Sequence, residues 1–130
     1  MRSRFSSTAR RGSLAGAVLA AALAAPGCAA DTDERPAEFP YIVEAILRPS
    51  CATATCHSAM TRREGLDFSS VEAAQQTFDD EFLVVPGDPG DGQLINVLTT
   101  SGEERMPVDS PLPDADIALI QAWIANGAVR

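Results

Sequence analysis

The stretch Pro49-Ser50-Cys51-Ala52-Thr53-Ala54-Thr55-Cys56-His57 constrains this chain more than any other. It holds two of the three cysteines and sets the only histidine directly after the second. Two thiols with an adjacent imidazole can be a dithiol redox centre, part of a metal site, or an attachment point for a covalently bound cofactor. A thioredoxin-like dithiol needs two residues between the cysteines, and here there are four. A structural zinc site needs four soft ligands, and only Cys51, Cys56 and His57 cluster. Covalent attachment of a c-type haem fits best. Two thioether bonds fix the porphyrin, and His57 is presented to the iron. The usual spacing is Cys-x-x-Cys-His, so Ala52 to Thr55 must bulge for both sulfurs to serve. A haem-free alternative keeps the same residues as a Cys51–Cys56 disulfide beside an exposed histidine.

A second axial ligand must come from a small choice. Met1 belongs to the leader, and Met60 lies one helical turn beyond His57, too close to reach the opposite haem face. Met106 remains, in a proline-rich loop ahead of the last apolar segment. A thioether is a soft ligand suited to iron(II), and it raises the potential relative to two histidines. The competing role for Met106 is that of a core filler. With both axial positions taken, the iron shuttles electrons. A peroxidase would need an open position, and no acid–base pair beside a substrate pocket is legible.

The first residues read as an export signal. Arg2, Arg4, Arg10 and Arg11 precede an uncharged Ala- and Leu-rich run from Leu14 to Ala25, too short for a comfortable span. A retained N-terminal membrane helix is the alternative. Ala25-Pro26-Gly27-Cys28 is similar to a bacterial lipoprotein cleavage site, which makes Cys28 the lipidated residue. Residues 1–27 are then the signal, 28–38 an acidic tether containing Pro36, and 39–130 the domain. All 18 acidic residues fall after the signal, leaving a net charge of about −12. That balance excludes nucleic acid and anionic lipid surfaces as partners. It suits a periplasmic or outer-membrane lipoprotein, held by its lipid anchor alone, whose redox partner presents a basic or neutral docking surface.

The domain reads as all-α, short helices joined by long loops. Phe39-Pro40 opens a first helix whose apolar face is Tyr41, Ile42, Ala45 and Ile46, and Pro49 ends it. Ser69 or Ser70 caps a helix to about Phe78. Asp91 caps a short helix carrying Leu94, Ile95, Val97 and Leu98. The last helix starts near Asp114 and ends before Asn126, with Gly127 as C-cap and Trp123 packing it on the first helix. No strand pattern is convincing. With five Phe, one Tyr and one Trp in the whole chain, the core is thin, and a bound haem or a staple would make up the deficit.

From about Tyr41 to Ala128 the chain resembles the small cytochrome c-like domains of planctomycetes and myxobacteria. The resemblance lies in Ile46-Leu47-Arg48-Pro49-Ser50-Cys51 with Cys56-His57-Ser58, Gly65-Leu66-Asp67-Phe68-Ser69, Val85-Pro86-Gly87-Asp88-Pro89, Met106-Pro107, and Ala122-Trp123-Ile124-Ala125-Asn126-Gly127-Ala128. It implies a class I cytochrome c-like fold, one haem c, His57 as proximal ligand and Met106 as distal ligand. Many small cytochromes orient the histidine with a proline carbonyl. No proline follows His57 before Pro86, so the carbonyl that does so here is open.

Overall fold

The computed structural model describes residues 33–130. The signal segment and Cys28 lie outside them. Among the described residues the architecture is all-α, with a single isolated bridge, Val85 to Asp88, as its only β pairing.

Helix α1 is one continuous rod in three pieces: α-helical Phe39–Ile42, π-helical Val43–Leu47 and α-helical Arg48–Cys51. The junction residues Ile42, Val43, Leu47 and Arg48 all keep right-handed helical backbone angles. Pro49 therefore does not end the helix, contrary to the reading from sequence. A proline inside a helix lacks one N–H and crowds the carbonyl four residues back. Here the wider π turn, closed by Arg48 N–H donating to the Val43 carbonyl, precedes it and gives the ring room. The buried face also differs from the expected one. Phe39, Ile42, Val43, Ile46 and Leu47 are buried, at the three- and four-residue spacing of a core stripe, whereas Ala45 is exposed and Tyr41 half-buried.

Helix α2 spans Val71–Asp80, with Ser70 as its N-cap accepting from Ala73 N–H at 3.1 Å. Helix α3 spans Gln93–Thr99. Its N-cap is Gly92, not Asp91, whose carboxylate reaches only the Gly92 N–H. Gly92 has φ 108°, and a Cβ there would meet the Leu83 carbonyl oxygen at 3.0 Å, so both backbone and space require glycine. Helix α4 spans Asp114–Ala125 and closes in a Schellman turn. Gly127 adopts φ 97°, and Ala128 N–H donates to the Trp123 carbonyl at 3.0 Å.

The core gathers α1 and α4 around an aromatic cluster. The ring centroids of Phe39 and Trp123 lie 5.4 Å apart, Phe78 stands edge-on to both, and Phe68 joins at 5.9 Å from Phe78. Trp123 thus packs α4 on α1 as expected. The loop after α2 is tied in by Gly87 N–H to the Ile124 carbonyl and by Leu94 N–H to the Leu83 carbonyl. Beyond this cluster α1 runs on to Cys51, which brings the Cys-His segment to the other end of the domain.

Candidate cofactor site

The spacer between the cysteines has a defined shape. Cys51 ends α1, and Ala52 leaves it. Thr53 to Cys56 form a turn closed by Cys56 N–H donating to the Thr53 carbonyl at 3.0 Å. His57 N–H then returns to the Cys51 carbonyl at 3.1 Å. The two extra residues are absorbed in an exposed turn, so Cys51 and Cys56 can still face one cavity. Thr61 holds that turn from outside, its hydroxyl donating to the Ala54 carbonyl at 2.5 Å.

The His57 ring is oriented by the Arg63 carbonyl, 2.9 Å from Nδ1, which answers which carbonyl serves in place of a proline's. An acceptor there fixes the proton on Nδ1 and leaves Nε2 for a ligand. Phe68 lies against the ring at 5.6 Å between centroids, and its N–H donates to the His57 carbonyl at 2.8 Å. The Arg63 carbonyl is offered by an unusual turn. Arg62 and Glu64 have φ of 44° and 56°, followed by Gly65 at 80°. For residues other than glycine that region costs on the order of 1–3 kcal/mol each, and it persists only where the surroundings enforce it.

Part of that enforcement comes from Asp67. Its carboxylate is 5% exposed and accepts from Ser69 N–H, from the Ser69 hydroxyl and from the Arg62 guanidinium. Burial pushes the Asp67 carboxyl pKa up, but the Ser69 hydrogen bonds and the Arg62 charge outweigh it and leave it below the ordinary carboxylate value. Thr77 on α2 bonds both backbone groups of Asp67.

A cavity of about 390 Å³ is lined by Cys51, Cys56, His57 and Met106, the four residues singled out in the sequence. A second, of about 130 Å³, shares Cys51, His57 and Met106 and is walled by Leu66, Phe68, Leu83, Leu94, Val97 and Leu98. Met106 is set on this wall by its N–H donating to the Val97 carbonyl of α3 at 2.8 Å. Met60 is 96% exposed and takes no part. Glu64, Glu103 and Asp109 give the larger cavity an acidic rim.

Cys51 and Cys56 are both free thiols in this structure. Their environments differ. Burial, with a smaller contribution from the neighbouring Cys56, pushes the Cys51 thiol up to about 11. Hydrogen bonds from Thr53 and then Thr55 hold Cys56 below its ordinary value. Among the described residues no group of three or more His, Cys, Asp or Glu is placed to hold a metal ion.

The sequence reading missed three contributors. Thr61 sits in a segment that looks like ordinary loop, and Asp67 reads only as the polar residue between apolar Leu66 and Phe68. The Arg63 carbonyl is a backbone group with no side-chain signature; the Gly65 that closes its turn was the only available hint.

The chemistry of the donor set fits a covalently held haem: two thiols, an imidazole with one nitrogen committed to a carbonyl, and a thioether line the larger cavity, and Cys51, His57 and Met106 also line the smaller, apolar-walled one. Residues 54–109 match the family model described as Planctomycete cytochrome C, a stretch that contains Cys56, His57 and Met106. The matched segment is similar to a planctomycete cytochrome c-like domain family, and that family implies a haem cofactor. No curated protein and no solved structure matches the chain.

Proposed function

We propose that the protein is an exported lipoprotein carrying one haem c and passing single electrons between partners. The observation that carries this reading is the convergence of Cys51, Cys56, His57 and Met106 on one cavity, with His57 Nδ1 already bonded to the Arg63 carbonyl. Cys51 and Cys56 would hold the haem through thioethers, and His57 Nε2 and the Met106 sulfur would take the two axial positions. When bound, the haem supplies the one-electron iron couple. The chain's own residues do the rest. Leu66, Phe68, Leu83, Leu94, Val97 and Leu98 keep water from one side, and Met106 is held against α3. Ligation of the iron by both His57 and Met106 would leave no open position for a substrate, and cytochrome c-like families are typically electron carriers rather than enzymes.

The N-terminal residues, of which 33–38 lie within the described structure, have a part in this reading too. Residues 1–27 direct export, Cys28 carries the lipid, and 28–38 tether the domain at the periplasmic or outer-membrane face of a Gram-negative envelope. The redox partner presents a basic or neutral surface to this acidic domain.

The test is direct. Protein produced with a haem-attachment apparatus is expected to keep its Soret band through acid–acetone extraction and to gain the mass of one haem. Loss of all haem on extraction would refute the covalent site. Rapid cyanide binding by the wild type would refute the Met106 ligand. Metabolic lipid labelling that persists in Cys28→Ala would refute the anchor.

A further inference from the structure

Asp67 is the one ionisable residue buried among the described residues, and nothing in the electron-transfer reading uses it. A buried carboxylate is unfavourable unless its lone pairs are engaged. Here they are. One oxygen accepts from the Ser69 N–H at 2.9 Å and the Ser69 hydroxyl at 2.6 Å, and the other accepts from the Arg62 guanidinium at 3.2 Å. Its backbone is bolted to α2, with Asp67 N–H donating to the Thr77 hydroxyl at 3.0 Å and that hydroxyl donating back to the Asp67 carbonyl at 3.1 Å.

The Ser69 contacts alone would make Asp67 a turn-forming residue. The Arg62 contact gives it a direction. Arg62 begins the left-handed turn that continues through Glu64 and Gly65, and Gly65 N–H closes it on the Arg62 carbonyl at 2.8 Å. The residue inside that turn is Arg63, whose carbonyl lies 2.9 Å from His57 Nδ1. A chain of contacts therefore leads from α2 through Asp67 and Arg62 to the imidazole.

We infer that Asp67 is a positioning residue for the axial histidine: by holding Arg62 it fixes the Arg63 carbonyl against His57 Nδ1 and thereby sets the donor strength of the imidazole toward iron. This rests on the haem reading above. An imidazole whose Nδ1–H is firmly bonded to a carbonyl is a stronger donor, and a stronger donor favours the oxidised iron. Asp67 thus holds the reduction potential down.

The test uses the full-length holoprotein and four variants: Asp67→Asn, Arg62→Gln, the double variant, and Arg62→Lys. Covalent haem is verified first by acid–acetone extraction, then the midpoint potential and the melting temperature are measured. Asp67→Asn and Arg62→Gln are expected to shift the potential upward. The double variant is expected to shift it no further than the larger single change, because both act through one contact. Arg62→Lys, which keeps the charge, is expected to recover part of the shift. If the haem-loaded variants melt lower but keep the wild-type potential, Asp67 is only a structural residue and the inference is wrong. If Asp67→Asn does not accumulate, Arg62→Gln decides alone, since that side chain is 60% exposed and its loss leaves the core intact. A wild type without covalent haem would instead overturn the functional reading, and this inference with it.

Discussion

The two ends of the domain are built on different principles. At one end Phe39, Phe78 and Trp123 stack edge and face within 5.6 Å of each other, closed by α1, α2 and α4. At the other, the chain from Cys51 to Phe68 and the loop around Met106 enclose cavities of about 390 and 130 Å³. Phe68 is the hinge between them, touching both Phe78 and His57. One end is completed by its own side chains, and the other is shaped for something larger than a side chain. A small chain that concentrates its aromatics in this way does not have a uniformly weak core. It has a firm half that holds the cavity-bearing half in place.

The comparison can be broken most forcefully at the closed end. Trp123→Ala is expected to cost about 3–5 kcal/mol, the range for removing a buried aromatic. Chemical denaturation measures it, and a loss below about 1 kcal/mol would mean the aromatic cluster does not carry the fold. Removing both cavity thiols, in Cys51→Ser with Cys56→Ser, should sharpen the contrast in the haem-loaded protein. Amide exchange is expected to accelerate in residues 53–68 and 100–109 while α1 and α4 stay protected. Uniform acceleration would show that the two ends do not unfold separately.

Intermediate effects come from the polar supports. At neutral pH Asp67→Asn is expected to destabilise by about 1–3 kcal/mol, since it weakens charged hydrogen bonds in a buried place. The pH dependence has a fixed sign. Asp67's folded pKa is depressed, so its contribution is fully present above the unfolded value of about 3.9 and disappears as pH falls through the lower folded value. The wild type should therefore lose stability in that acid window, and Asp67→Asn should lose less. Equal acid limbs in the two proteins would contradict the assignment. Thr61→Val is expected to cost about 1 kcal/mol by releasing the Ala54 carbonyl. It should also lower the fraction of chains that acquire covalent haem, counted by mass spectrometry. The smallest effect is Arg48→Gln, which removes an exposed pair with Glu44 and should change stability by no more than about 0.5 kcal/mol.

Much of the site was legible before the structure because its chemistry sits in side chains. Cys51, Cys56, His57 and Met106 are of residue types scarce in this chain, and that scarcity singled out the four that the structure brings to one cavity. The Ser70 cap and the Gly127 stop were equally visible, since each meets a local backbone need. Two kinds of feature escaped. Pro49 reads as a terminator because proline usually is one, and only the π turn ahead of it makes its place in α1 tolerable. Asp67 reads as the polar member of an alternating pair, whereas three partners from outside that pair hold it inside. Both depend on groups brought together by the fold, and no local pattern announces them.

The π turn in α1 has a consequence for phase. An α-helix turns about 100° and advances about 1.5 Å with each residue. A π turn takes up one residue more than the pattern around it, so everything after Leu47 is offset by about that angle from an unbroken α-helix. The stripe from Phe39 to Leu47 answers to the core, while Cys51 answers to the cavity. The extra residue lets one rod serve two bearings. Straightening the Val43–Leu47 segment into an α-helix of the same length would leave the aromatic end aligned and carry Cys51 about 100° around the axis, off the cavity.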